Sequence, residues 1–307
     1  MIKNYNSKFI YMIWLFESIV SNGLSAQEIK IFSTVDFNLK GAVKSCLVIT
    51  DYGKEEYDFN REGLLTKAVT RYNDADYDIT IYRLKDGKLL EKRVENYRDG
   101  NFVRNTSIAN LYQRDTTDGL RVTEKIISYN SEFLDQYEYI YDGDGKLTTI
   151  KHTNNKGIDQ TRVEYEETRS QSIDTYYLND VIYKTVQSSV PKNERSFRTI
   201  MTKEFLEGGP QSAIEQTYNG DAELISEVHY AFSVARDTLV PTESVFYTYG
   251  PQGFVISQKT QKDGASTEKQ YLYQYDGGEH GNWVKRIVTP DNTYTTRRIT
   301  YYPQDQD

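Results

Sequence analysis

Apolar and aromatic side chains alternate with polar ones along most of this chain. The runs Tyr77-Asp78-Ile79-Thr80-Ile81-Tyr82, Thr161-Arg162-Val163-Glu164-Tyr165 and Thr296-Arg297-Arg298-Ile299-Thr300-Tyr301 all fit a period of two. That period sends successive side chains to opposite faces of a strand, so each run predicts a half-buried β-strand. No comparable stretch fits the helical period. Thr, Tyr, Val and Ile dominate the runs, and these residues suit a pleated, half-buried surface.

Between the runs one pattern recurs: aromatic, any, aromatic, Asp or Asn, two polar residues, Gly, any, apolar. The clearest copies are Tyr57-Asp58-Phe59-Asn60-Arg61-Glu62-Gly63-Leu64-Leu65 and Tyr139-Ile140-Tyr141-Asp142-Gly143-Asp144-Gly145-Lys146-Leu147. A third is Tyr247-Thr248-Tyr249-Gly250-Pro251-Gln252-Gly253-Phe254-Val255, and Tyr273-Gln274-Tyr275-Asp276 reaches Gly281-Asn282-Trp283 after a two-residue insertion. Weaker copies turn at Asp86-Gly87, Asp99-Gly100 and Tyr218-Asn219-Gly220. Aromatics at i and i+2 share one strand face, while Asp or Asn with Gly supplies the positive φ of a tight hairpin, so each copy predicts strand, turn, strand. The glycine intervals vary, from 24 residues (Gly63 to Gly87) and 28 (Gly253 to Gly281) down to 13 (Gly87 to Gly100), so the copies mark turns rather than modules of fixed length.

The chain therefore reads as all-β, an antiparallel meander of consecutive hairpins forming a long curled sheet or open barrel-like strip. Ordinary strand lengths put roughly 14 to 18 strands in it. Two stretches look loop-like, Ser188-Ser189-Val190-Pro191-Lys192-Asn193 and Gly208-Gly209-Pro210. The hairpin pattern resumes at Tyr218, so residues 27–307 read as a single β domain.

Ahead of it, Lys3 and Lys8 precede an apolar run from Phe9 to Phe16, and small residues end in Gly23-Leu24-Ser25-Ala26 before Gln27. These are the three regions of a signal peptide, here residues 1–26, with cleavage expected after Ala26. The run is too short to span a bilayer, and no other long apolar segment follows, so the mature chain is expected to carry no transmembrane segment. Cys46 is the only cysteine, which leaves no intrachain disulfide, and its apolar surroundings predict a buried structural thiol.

The Tyr-x-Tyr-Asp-x-x-Gly-x-Leu pattern, carried best by Tyr139, Tyr141, Asp142, Gly145 and Leu147, resembles the YD repeat of the RHS family. Tyr275-Asp276 with Gly281-Asn282-Trp283 resembles the glycine-asparagine ending of the same element. In clear or weak copies the resemblance covers residues 57 to 301. It implies long antiparallel hairpins laid side by side in a strip that curls, in some members into a shell around a cargo polypeptide. Copies here are few and irregularly spaced, which argues against encapsulation. The glycine and aspartate turns are also similar to those of MORN-type repeats, which imply a ribbon with shorter hairpins.

Composition narrows the function classes. The chain carries 27 Tyr against 12 Phe and 2 Trp, so its sheet is covered by rings whose hydroxyls seek water or a partner. Its formal net charge is −8 with no basic run, which removes the electrostatic footprint of a nucleic-acid binder. Only His152, His229 and His280 are present, and none has metal-ligand spacing to another. Glu279-His280 lies in a Gly-rich insertion expected to be an exposed turn, and His229 in a strand as a cross-strand partner. Asp142-Gly143-Asp144-Gly145 opens like a calcium loop but lacks the later oxygen ligands, so a hairpin turn is expected there. Nucleophile elbows, phosphate loops and dinucleotide fingerprints are missing from the sequence.

The expectation is an exported, non-catalytic β-repeat protein, periplasmic or extracellular, without cofactor or metal. It would provide a binding or scaffold surface at the cell envelope, with a glycan or an extended peptide as partner if its aromatic rows are exposed. The alternative is an envelope polysaccharide hydrolase using paired carboxylates, which 45 acidic residues leave open without singling out a pair. An envelope assembly component, marked by an uncovered strand edge, is a third class.

Overall fold

The computed structural model describes residues 29–190 and 197–303. The expected signal peptide and its cleavage site lie outside the described residues, as does Pro191-Lys192-Asn193. The first described stretch has no regular structure apart from a 3-10 turn at Thr34–Phe37 and a bridge at Ser33. The sheet then begins with β1 (Val43–Thr50), β2 (Gly53–Phe59), β3 (Leu65–Arg71), β4 (Tyr77–Lys85) and β5 (Lys88–Arg98). A two-residue strand, β6 (Asn101–Phe102), folds back on β5 and is followed by β7 (Ile108–Asp115), β8 (Arg121–Ser128), β9 (Phe133–Tyr141) and β10 (Leu147–Asn154). Next come β11 (Gly157–Glu167), β12 (Gln171–Leu178), β13 (Val181–Ser189), β14 (Arg198–Leu206), β15 (Gly209–Tyr218) and β16 (Leu224–Ser233). The last five are β17 (Thr238–Tyr249), β18 (Val255–Lys262), β19 (Ala265–Tyr275), β20 (Trp283–Thr289) and β21 (Thr293–Tyr301).

Each strand pairs antiparallel with the next in sequence, with β5 reaching β7 past the short β6. The same rule holds from β12 to β21. The meander closes, because β21 pairs with β1 through Cys46↔Ile299, Leu47↔Arg298 and Val48↔Arg297. Twenty strands thus form a barrel, which corrects the expectation of an open strip of fewer strands. Closure gives every long strand two neighbours and removes the exposed edges that an open strip would have to protect. The expected loop at Gly208-Gly209-Pro210 is also corrected. Glu207 and Gly208, both at positive φ, make a two-residue hairpin turn, and Gly209-Pro210 already belongs to β15.

Hairpins alternate between two mouths of the barrel. The four-residue turns of the motif, at Asn60–Gly63, Asp142–Gly145, Asn219–Ala222 and Gly250–Gly253, fall at one mouth, together with the longer Asp276–Asn282 turn. Asp86-Gly87 turns there too, but Asp99-Gly100 turns at the opposite mouth. This explains the irregular glycine spacing: the 24- and 28-residue intervals span two strands and the 13-residue interval spans one.

Following the register around the ring, one face carries Cys46, Tyr57, Phe59, Val122, Tyr139, Val163, Tyr176, Tyr218, Val245, Trp283 and most other buried side chains. A sheet closed on itself has no second layer outside it, so this face is the concave, inward one. The outward face carries Lys67, Lys125, Lys151, Lys203, Lys259 and Arg298 within its strands. Residues 29–42 lie against the inward face at the motif mouth. Phe32 contacts Tyr82, Phe37 contacts Tyr57 and Phe59, and Ser33 bridges to Leu64. No helix among the described residues is long and apolar enough to cross a membrane.

Candidate functional site

The barrel interior gathers the side chains that sequence singled out. All four aromatic rows, Tyr57/Phe59, Tyr137/Tyr139/Tyr141, Tyr247/Tyr249 and Tyr271/Tyr273/Tyr275, point inward. Local chemistry puts them there. In the motif turn the first residue closes a backbone ring with the fifth, as in Asn60 N to Leu64 O at 2.9 Å and Asp142 N to Lys146 O at 2.9 Å. The Asn or Asp side chain then accepts from that same fifth residue, Leu64 N at 2.8 Å, Lys146 N at 2.8 Å and Glu223 N at 2.9 Å. Gly63 and Gly145 supply the left-handed position at φ 77 and 79. The incoming aromatics are thereby fixed on the inner face.

Beyond the turn the returning strand carries a bulge, with Thr66 and Thr148 as extra residues whose hydroxyls donate to Asp58 O at 3.0 Å and Ile140 O at 3.1 Å. The apolar residue before each bulge is then tied to a ring from a neighbouring strand. Tyr165 donates to the Leu147 carbonyl at 2.7 Å, Tyr249 to that of Leu224 at 2.9 Å and Tyr273 to that of Val255 at 2.8 Å. These hydroxyls satisfy carbonyls that the bulge takes out of the ladder. At the motif mouth tyrosine therefore acts as a structural bracket.

Other inward hydroxyls bind carboxylates. Glu124 accepts from Tyr112 at 2.8 Å, Tyr139 at 2.9 Å and Asn110 at 2.6 Å, and Glu55 accepts from Tyr57 at 2.6 Å. Burial, followed by these carboxylates, holds the Tyr57, Tyr112 and Tyr139 phenols far above their ordinary range. Burial also raises the Asp174 carboxyl and lowers the Lys184 ammonium, which lies 4.0 Å over the Tyr176 ring.

The two strand histidines are engaged within the sheet. His152 stacks on Tyr137 at 4.4 Å and meets Asp135 at 2.7 Å, and His229 lies opposite Glu243 with Glu227 at 2.7 Å. Glu279-His280 is exposed, yet the His280 ring packs so closely on Gly41 that a Cβ there would come within 2.5 Å of it. Cys46 is buried, and desolvation pushes its thiol up to about 11 against the pull of Arg297. The described residues hold no group of three or more His, Cys, Asp or Glu side chains suited to a metal ion.

Sequence reasoning missed the arginines. Arg286 and Arg297, on adjacent strands, flank one indole: their guanidinium carbons lie 5.4 Å and 3.5 Å from the Trp283 centroid. Arg297 Nη2 donates to the Phe37 carbonyl at 3.1 Å, while its Nε and Nη1 and the Nε of Arg286 are buried without a hydrogen-bond partner. Desolvation brings Arg297 down to about 10, with Cys46 opposing and Arg286 adding to the shift. The alternating Thr-x-Thr-x-Arg of β21 held the signal, but only closure onto β1 shows which of Arg297 and Arg298 points inward.

The two halves of the interior differ. Near the motif mouth Phe59, Leu147, Tyr218 and Trp283 are buried, whereas the inward Asp159, Thr267 and Lys269 near the other mouth are exposed. Eight-stranded barrels are just filled by their side chains and those of 16 to 18 strands leave a channel. Twenty strands at ~4.8 Å give a perimeter of roughly 100 Å and a mean diameter of about 30 Å before tilt widens it. The lumen is thus capped at the motif mouth and open to solvent at the other.

No known protein family and no curated protein matches the chain. Among solved structures it is similar to a porin-like protein from Bacteroides vulgatus, at 8% identity and TM-score 0.24, over 85% of this chain and 99% of that one. A Tc holotoxin pore of Photorhabdus luminescens is similar at 14% identity and TM-score 0.26, over 79% of this chain and 19% of that one. A protein of unknown function from Bacteroides fragilis follows at 10% identity and TM-score 0.19, over 57% and 94%. Likenesses this slight carry no argument about function.

Proposed function

We propose that this chain is an exported, non-catalytic β-barrel that stands in water and offers its open lumen as a binding or scaffold surface at the cell envelope. The observation that carries this reading is the distribution of charge and rings over the two faces. A barrel in lipid turns an apolar band outward, and each Lys or Arg at mid-membrane costs about 2 to 4 kcal/mol. Here Lys67, Lys125, Lys151, Lys203, Lys259 and Arg298 lie within strands on the outward face, and the aromatic rows of the motif point in, while scattered rings such as Tyr77, Tyr97, Phe246 and Tyr294 share the outward face with them. Such an exterior belongs in an aqueous compartment. The partner would be an extended polymer, a glycan or a peptide, entering at the open mouth.

Kinship with YD repeats is part of this proposal. It is supported by the shared hydrogen-bond pattern of the turns at Asn60, Asp142 and Asn219 and by the tyrosine brackets two strands on. Export rests on the amino-terminal pattern, and residues 27–307 are proposed to fold as one unit.

The test is purification of the protein from the periplasm or medium without detergent, with its amino terminus read by mass spectrometry, followed by glycan and peptide arrays. The reading predicts a monodisperse species in plain buffer beginning at Gln27 and retention of at least one polymer class. Dependence on detergent, or ion conductance in planar bilayers, would overturn it.

A further inference from the structure

The inner wall is not uniform in charge. Around most of the ring inward acids recur every strand or two, among them Glu55, Asp78, Glu124, Asp159, Glu204 and Glu243, with β5 and β7 as a two-strand gap. The sector β18 to β21 and on into β1 sends none. Its inward positions carry Lys262, Lys269, Arg286 and Arg297, set among Thr, Tyr, Gln and Trp. Four cations and no acid on five consecutive strands stand out in a chain with 45 acidic and 37 basic residues.

The sector also runs from solvent to core. Lys262 and Lys269 are exposed at the open mouth, where they meet the Glu243 and Asp291 carboxylates at 3.0 Å and 2.9 Å. Tyr271, half-buried, follows Lys269 inward, and Arg286 lies 5.8 Å from its ring. At the deep end the buried guanidinium nitrogens of Arg286 and Arg297 lack carboxylate partners, so positive potential there is not cancelled locally. Cations over low-dielectric aromatic walls focus that potential into the lumen.

We infer that this sector is a binding wall for a carboxylate-bearing glycan, whose acid groups meet Lys269 and Arg286 and whose sugar faces lie on Tyr271. The inference rests on the lumen-binding reading above and assigns it a wall and a ligand chemistry. Glycan is favoured over acidic peptide because the wall alternates cations with ring faces and turns no free strand edge to the lumen that could pair with a peptide backbone.

The test is calorimetric titration of the full chain with oligogalacturonate, a neutral oligoglucan and poly-glutamate, repeated on Lys269→Glu, Arg286→Gln and Lys259→Glu. Lys259 lies on the outward face of β18 and is exposed, so it reports nonspecific attraction, while the exposed Lys269 can be reversed without touching the core. Binding of oligogalacturonate, weakened at least tenfold by Lys269→Glu and Arg286→Gln and unchanged by Lys259→Glu, is the expected result. Equal weakening by Lys259→Glu, or tighter binding of poly-glutamate, would overturn the inference. Retention of the neutral oligoglucan alone would overturn it while leaving the lumen-binding reading intact, and binding of no polymer would sink both.

Discussion

Asn282 holds Lys40 by both of its backbone groups. Its amide oxygen accepts from the Lys40 N–H at 2.9 Å, and its Nδ2 donates to the Lys40 carbonyl at 2.8 Å. The same Nδ2 also reaches the Tyr301 hydroxyl at 2.8 Å, which donates to Asp276 at 2.7 Å. Asn282 is fully buried, so no solvent competes for these bonds. One side chain therefore pins the capping segment 29–42 to the turn before β20 and to the last strand of the ring.

Asn282→Ala should lower stability by about 3 kcal/mol, because it leaves both Lys40 groups short of a partner at a buried site, where each such loss costs roughly 1 to 3 kcal/mol. Urea denaturation followed by Trp283 fluorescence measures it. A loss under about 1 kcal/mol would mean that the cap is not held as described.

Removing single bracket hydroxyls separates the structural role of tyrosine from its bulk. Tyr165→Phe and Tyr249→Phe should each cost about 1 kcal/mol, the net worth of one hydrogen bond, and the two effects should add because the sites share no partner. Replacement by Ala at either site should cost about 3 to 5 kcal/mol through lost ring packing. Equal effects of Phe and Ala would contradict the bracket.

One turn is imperfect. Ala222 occupies, at φ 61, the left-handed position that Gly63 and Gly145 fill in the sister turns. A non-glycine residue there costs roughly 1 to 2 kcal/mol, so Ala222→Gly should stabilise the protein by up to about 1 kcal/mol after the added flexibility of the unfolded chain. Gly145→Ala should do the reverse. Thermal melts of the two variants should move in opposite directions.

High pH should open the barrel. Tyr165 and Tyr249 are raised by burial to about 12, with Asp174 and Glu223 as the next causes. Above the unfolded phenol value of about 10 the unfolded chain releases protons that the folded one retains, so stability is intact below that pH and is lost as pH climbs towards the folded values. Tyrosinate absorbance should rise in step with loss of the β circular dichroism signal. Full phenol ionisation with the fold intact would contradict the burial of these rings.

Much of the strand-and-turn order was legible in the sequence because its causes are local. Asp142 to Gly145 specify their turn through their own side chains and φ, and the i, i+2 aromatics declare a face. Closure was not legible. It depends on Cys46 meeting Ile299, a register between strands at opposite ends of the chain that no local pattern encodes. The strand count came out low because turns such as Asn179-Asp180 use two residues and carry no motif. Asn282 could be read as the end of a repeat, but its bond to Lys40 joins segments 242 residues apart. Likewise Arg286 and Arg297 gained meaning only once the ring fixed which way each strand faces.

The central claim is that the first and last strands pair to close the ring. Ser45 and Thr300 face each other across that seam, their hydroxyl oxygens 2.6 Å apart on the solvent side. Directly opposed antiparallel positions bring two Cβ atoms within the reach of a disulfide. The double variant Ser45→Cys/Thr300→Cys, oxidised in the folded state and mapped by peptide mass spectrometry, should form the 45–300 bridge almost completely in the monomer. Free thiols at both positions, or bridges only between molecules, would show an open strip instead of a barrel.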